Sequence, residues 1–310
     1  MIKSYFKSIF FLVLLSGFFI SWVVEKKSDS FTFSFTITTL QENVLLVFNT
    51  ISEQQSSINI DWGNGNKDNL LIQLKGNRGE ESISHYYRND SKLPHTITVR
   101  ATHGVILKCE NNQLTSLNVS GNLIELSCYQ NNLTSLDFSR IECIQGLYCA
   151  RNQLSNIDVS KNQELSRLTV NFNQLTSLNV SNNVILKSLS CSNNQLTSLY
   201  LNNNTELEGL ECSNNQLRSL YLNNNTELEE LVCGNNQLTN LDISKNIKLR
   251  RIQIHNNLMD TQSLNSFLNS LPVIDRQQFR EGFVNIIGNP GASTCDHSIA
   301  INKGWMIVWK

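Results

Sequence analysis

The chain has 310 residues, 25 of them basic and 26 acidic, for a net charge of -1, which excludes the basic footprint by which proteins hold phosphate backbones, and with it nucleic acid as a partner. Four alanines, three prolines and about 14% asparagine exclude a helical protein, because Asn bonds to nearby backbone and favours turns over helix interiors. So large an Asn share needs a structural cause.

Lys3 and Lys7 precede an apolar run from Ile9 to Val24, broken only by Ser16, Gly17 and Ser21 and followed by Glu25-Lys26-Lys27. A charged start and an apolar stretch are the layout of a secretory signal, and the run falls short of the roughly 20 residues of a spanning helix. Residues 1–27 therefore read as a signal peptide or, since no small-x-small cleavage site is clean, as a retained membrane anchor. On either reading the rest of the chain is exported, to be secreted or held at the cell surface or in the periplasm. A lipid anchor is not expected, because the first cysteine is Cys109.

Residues 28–104 alternate, as in Phe31-Thr32-Phe33-Ser34-Phe35-Thr36-Ile37-Thr38, with further apolar runs at Val44 to Phe48, Ile58 to Trp62, Leu70 to Leu74 and Thr96 to Val99. This predicts a small antiparallel β-sandwich. Asp61-Trp62-Gly63-Asn64-Gly65, with Tyr86-Tyr87 and His95 to Val99 behind it, is similar to the W-G-D-G turn and late tyrosine strand of PKD-like domains, with Asn64 in place of the usual Asp.

From 105 to 258 the chain repeats itself. Leu107, Leu126, Leu147, Leu168, Leu189, Leu210, Leu231 and Ile252 fall in one column, and the copies read L-x-C-x-x-N-Q-L-T-S-L-[DN]-[VIL]-S-x-N-x-x-L. Two places after each lead residue stand Cys109, Cys128, Cys149, Val170, Cys191, Cys212, Cys233 and Ile254. That alternation predicts a short strand with one buried face. Five places after the lead comes Asn in all eight copies, from Asn112 to Asn257. An amide that donates and accepts can satisfy backbone where the chain turns out of a strand and can pass bonds along stacked copies.

The pattern resembles leucine-rich repeat proteins: Leu165, Leu168, Val170, Asn173 and Leu175 match L-x-x-L-x-L-x-x-N-x-L. The Cys for Leu and the N-Q-L-T-S-L-D-x-S tail look like the short repeats of surface and secreted proteins of Bacteroidetes-type bacteria. The resemblance implies a β-rich α/β fold: a right-handed solenoid of about eight 21-residue repeats with a concave parallel sheet. The second copy departs from the pattern at Arg140-Ile141-Glu142-Cys143, where irregularity is expected. Residues 259–310 form an α/β cap for the last apolar layer. Leu264, Phe267, Leu268 and Leu271 recur at helical spacing, and Phe283 to Gly288, Asp296 to Lys303 and Trp305 to Val308 read as strand, helix and strand.

The chemistry predicted is that of binding, not catalysis. Six cysteines fall in the core-facing column and read as buried free thiols, and Cys143 and Cys295 stand too many repeats apart to pair. Asp61, Asn64, Asn66 and Asp68 read as a plain turn and not a calcium loop, because the glycines are misplaced for one. The five histidines lack metal-ligand spacing, and no nucleophile, zinc-protease or phosphate-loop motif occurs. No enzyme, metal or cofactor is expected. A solenoid offers its partners the solvent-facing columns of its strands, one before and one, three and four after each lead residue. There Tyr129, Tyr148, Arg151, Arg167 and Phe172 supply the aromatic and Arg side chains that dominate interfaces, and copies five to seven offer Ser188, Ser190, Ser192, Glu211 and Glu230. Tyr200 and Tyr221, at one repeat position in two nearly duplicated copies, form a secondary patch. The expected function is adhesion or binding of a protein or glycan by a monomer. The alternative is a spacer without a dedicated ligand, with an enzyme third.

Overall fold

A computed structural model describes residues 13–15, 18–20, 33–39, 43–50, 56–72, 79–87, 95–101, 105–121, 123–141, 143–274 and 281–310. Contacts divide the chain into two units, 1–30 and 31–310. In the first, β1 (Val13–Leu15) pairs antiparallel with β2 (Phe18–Ile20); the rest of the leader reading lies outside the described residues. Among the described residues no helix is long and apolar enough to cross a membrane.

The second unit opens with β3 (Phe33–Thr39), β4 (Asn43–Thr50), β5 (Ser56–Asp61), β6 (Lys67–Ile72), β7 (Gly79–Tyr86) and β8 (His95–Ala101). They pair antiparallel, as their alternation predicts, but in two different sheets. One is five-stranded, in the order β10-β3-β8-β5-β6, and its edge strand β10 (Leu114–Ser120) belongs to the first repeat. The other is the sheet of the repeats, which β4 joins by pairing antiparallel with β9 (Val105–Lys108) and with β7. Both sheets thus run across position 104. Val44, Leu46 and Phe48 on β4, Ile58 and Ile60 on β5, and Ile97 and Val99 on β8 are buried in one core with the repeats, as period-two spacing requires.

Each later copy adds one parallel strand: β11 (Leu123–Ser127), β12 (Gly146–Tyr148), β13 (Arg167–Thr169), β14 (Ser188–Ser190), β15 (Gly209–Glu211), β16 (Glu230–Val232) and β17 (Arg251–Gln253). The lead residues pair in register from Leu107 to Ile252. Asn194 shows how the Asn column ties copies together. Its Oδ1 accepts from the Leu175 N–H at 3.0 Å, and its Nδ2 donates to the carbonyls of Cys191 and Val170 at 3.0 Å each.

The solenoid continues past residue 258. After α1 (Thr261–Ser270), capped by Asp260 and burying Leu264, Phe267 and Leu268, β18 (Gly282–Asn285) and β19 (Trp305–Val308) extend the same parallel sheet, with α2 (Ser298–Asn302) between them. Val284 lies beside Ile252, and Asn289, five places on, donates to the Ile254 carbonyl at 2.9 Å and accepts from the Met259 N–H at 3.2 Å. These are the bonds of a ninth copy. The count of eight falls short because α1 sets Asn289 32 residues after Asn257 (289 minus 257), outside the 21-residue period.

Candidate binding site

The strands are short because every copy turns out of the sheet four places after its lead residue, through left-handed backbone. Asn111, Gln130, Arg151, Phe172, Asn193, Asn214, Asn235 and Asn256 have φ between 53° and 58°, and Gly288 has 73° in the ninth copy. Asn tolerates this region and Gly enters it freely. Gln130, Arg151 and Phe172 have neither advantage, and for a bulky side chain the conformation costs roughly 1–2 kcal/mol. The Arg151 guanidinium carbon sits 4.4 Å from the centre of the Phe172 ring, within cation–π range.

A second group is built one place before the lead residue, where Glu125, Gly146 and Arg167 occupy the neighbouring strands β11, β12 and β13. Arg167 reaches over β12 to ion-pair with Glu125, and its Nε donates to the Tyr148 hydroxyl at 2.8 Å. Gly146 leaves room for both partners, since a Cβ there would stand 3.1 Å from Glu125 Cγ and from Tyr148 Cε2. Tyr148 pairs in register with the small Ser127, and Tyr129 has Ala150 at the same place in the next copy. Bulky beside small on adjacent strands leaves a shallow hollow of about 350 Å³, lined among others by Tyr129, Tyr148, Ala150, Glu110 and Glu125. The Ser127 hydroxyl donates to Glu110.

The predicted residues therefore fall into two groups. Tyr129 and Tyr148 line the hollow and Arg167 holds Tyr148 and Glu125 from beside it, whereas Arg151 and Phe172 stack on each other where the chain leaves the sheet. Ser192, expected in solvent, is buried, and its Oγ accepts from the Ser213 N–H at 3.0 Å. Tyr200 and Tyr221 are 71% and 68% exposed. They occupy a column in which Asp137, Asp158, Asn179 and Asp242 each accept from the N–H two residues on, a bond that Tyr cannot replace. Glu125, Gly146 and Ala150 do not stand out in the repeat pattern. The available signal is a lone glycine between two charged residues in a strand column, since such a glycine marks close approach.

Two other features have structural explanations. A hollow of about 200 Å³ beside Asp137, Ser139, Asp158 and Lys161 lies among the turns, where both aspartates are already bonded to backbone. The Asp61 to Asp68 loop uses its oxygens internally: Asp61 accepts from Gly63 and pairs with Lys67, Asn64 accepts from Asn66, and Asp68 accepts from the Trp62 indole. All eight cysteines are free thiols. Burial raises the thiols of the repeat column, with Cys149 and Cys233 pushed up to about 12, so they stay protonated at neutral pH.

Parallel strands in register, an Asn ladder and a turn in every copy define a solenoid of leucine-rich repeats. No family model matches the chain, and no curated protein matches it. Among solved structures it is similar to a leucine-rich repeat protein of Leptospira interrogans, at 23% identity over 61% of this chain and 49% of that one, with a TM-score of 0.51. It is also similar to the functional domain of InlJ from Listeria monocytogenes, described as including a cysteine ladder (24% identity, 58% and 48% coverage, TM-score 0.33), and to the internalin InlF of the same organism (25% identity, 47% and 46%, TM-score 0.44). The chain spans about half the length of each of these structures. The likeness is one of fold.

Proposed function

We propose that this is an exported or surface-held protein that binds a macromolecular partner, a protein or a glycan, on the open face of its sheet through Tyr129, Tyr148, Arg151, Arg167 and Phe172. It acts as a monomer without cofactor, and its PKD-like N-terminal strands serve as a spacer. One observation carries the reading: Arg151 and Phe172 occupy left-handed backbone that six of the nine copies give to Asn or Gly. The fold requires the left-handed turn in every copy but not a bulky side chain on it, and bulky residues kept in a disfavoured conformation support a role outside the fold.

The double variant Arg151→Asn, Phe172→Asn tests this directly. It relieves strain of roughly 1–2 kcal/mol per site and loses about 0.5–1 kcal/mol of exposed cation–π contact, so the melting temperature should rise. Capture of partners in a pull-down should fall at the same time. A higher melting temperature with undiminished capture would leave the spacer as the better reading.

A further inference from the structure

We infer that the hollow between Tyr129 and Tyr148 is a subsite for an uncharged sugar ring, so that the partner of the open face is a neutral polysaccharide. The inference rests on the binding reading above and narrows it to one class of ligand. The first argument is charge. Two acidic side chains and one basic line the hollow, Glu110, Glu125 and Lys108, and each is already engaged: Glu125 with Arg167 beside it, Glu110 with the Ser127 hydroxyl, and Lys108 in a contact of its own. An anionic ligand would face the repulsion of Glu110 and Glu125. A neutral polyol does not, because each carboxylate has further lone pairs for hydroxyl donors, and O–H···O⁻ bonds are among the stronger hydrogen bonds.

The second argument is shape and surface. The lining joins the apolar and aromatic residues Ile106, Tyr129, Tyr148 and Ala150 to the polar residues Glu110, Glu125, Ser127 and Thr169. A pyranose offers the complement, one face of C–H groups and an edge of hydroxyls, and the negative face of an aromatic ring attracts such C–H groups. At about 350 Å³ the hollow lies near the lower end of small-ligand sites. It cannot by itself supply the roughly 800 Å² per partner of a stable protein interface. Beyond it the sheet face bears the short residues Ser188, Ser190 and Gly209, with Glu211 accepting from the Ser190 hydroxyl, which leave a lane in which further sugar rings can lie. The third argument is preorganisation. The chain Glu125–Arg167–Tyr148, made possible by Gly146, fixes the Tyr148 ring before any ligand arrives, so that little side-chain entropy is lost on binding.

The test is calorimetric titration of the full chain with laminarihexaose, cellohexaose, maltohexaose and mannohexaose, with hexagalacturonate as the anionic counterpart. At least one neutral hexaose is expected to bind, hexagalacturonate should not compete, and Tyr148→Ala or Tyr129→Ala should weaken binding about tenfold or more, as for a central aromatic contact, with melting unchanged. Gly146→Ala, which displaces Glu125 and Tyr148 without removing either, should weaken it too. No neutral hexaose bound at about 1 mM, binding indifferent to both Tyr variants, or preference for hexagalacturonate would each overturn the sugar subsite. A protein partner captured through Arg151 and Phe172 with no hexaose bound would also overturn it, while leaving the binding reading in place.

Discussion

Copies three to seven each use asparagine in two chemically different ways. Asn194 has both ends of its amide engaged. Asn204, fully buried on the turn side, donates to the carbonyls of Val180 at 3.0 Å and Asn183 at 2.9 Å, yet its Oδ1 meets no partner among the described residues. The same holds for Asn162, Asn183, Asn225 and Asn246. Leaving a buried group unpaired costs about 1–3 kcal/mol, so much of what Asn204 gains by donating is offset. The second copy carries the apolar Ile141 at this position, fully buried. Asn194→Ala should therefore lower the unfolding free energy by about 3 kcal/mol, because it strands one N–H and two carbonyls, whereas Asn204→Leu should cost about 1 kcal/mol. Urea titrations read both values. Equal losses would mean that ordered water satisfies the row of oxygens. The first role of Asn was legible in the sequence because it never varies. The second was not, because an orphaned acceptor leaves no trace in a residue pattern.

The strands β12 to β17 are three residues long, too short to stand without neighbours, so their register depends on the buried columns. The cysteine column couples these elements to pH. Burial raises its thiols above the ordinary 9.0, to about 12 at Cys149 and Cys233. The folded state then holds protons that the unfolded chain releases. Stability from this source is complete below about pH 9 and falls as pH rises through the folded values, by up to about 1.4 kcal/mol per unit for each thiol. Urea unfolding followed from about pH 8 to 11 should show this slope. Cys191→Val, which copies the Val170 of the preceding repeat, should make it shallower, and an unchanged slope would contradict the titration. Most elements were legible from periodicity, including α1. Three points were not: β10, which falls in the tail of the first copy where the repeat pattern predicts no strand, and two more. β7, with exposed Ser82, Ser84 and Tyr86 on a sheet edge, lacks the apolar face that marks a strand. β18 was legible as a strand but not as a repeat, because α1 breaks the period before it.

At the scale of the molecule, the sequence changes character near residue 104 and the hydrogen bonding does not. β4 pairs with β9, β3 pairs with β10, and Asn112, the first of the ladder, exchanges both bonds with Leu45 on β4, donating to its carbonyl at 2.7 Å and accepting from its N–H at 2.9 Å. The pattern of residues conceals this because β-pairing leaves no mark on the amino acid whose backbone it uses, and the site shares the difficulty: its aromatic residues were visible by column, while the ion pair over Gly146 joins two copies across a third. A chain shortened to residues 105–310 would expose the edge of β9 and uncover Leu107, Leu114 and Leu117, all buried in the full chain. Bare edges recruit other chains, and a solenoid needs its terminal layer covered. Residues 31–310 should therefore unfold at the temperature of the full chain, whereas 105–310 should unfold lower and scatter light as it does so, with the hollow beside Lys108 and Glu110 among the first parts lost. If 105–310 keeps the melting temperature and binding of the longer chain, the N-terminal strands are a detachable spacer, and the bonds at Asn112, β4 and β10 contribute nothing the solenoid needs.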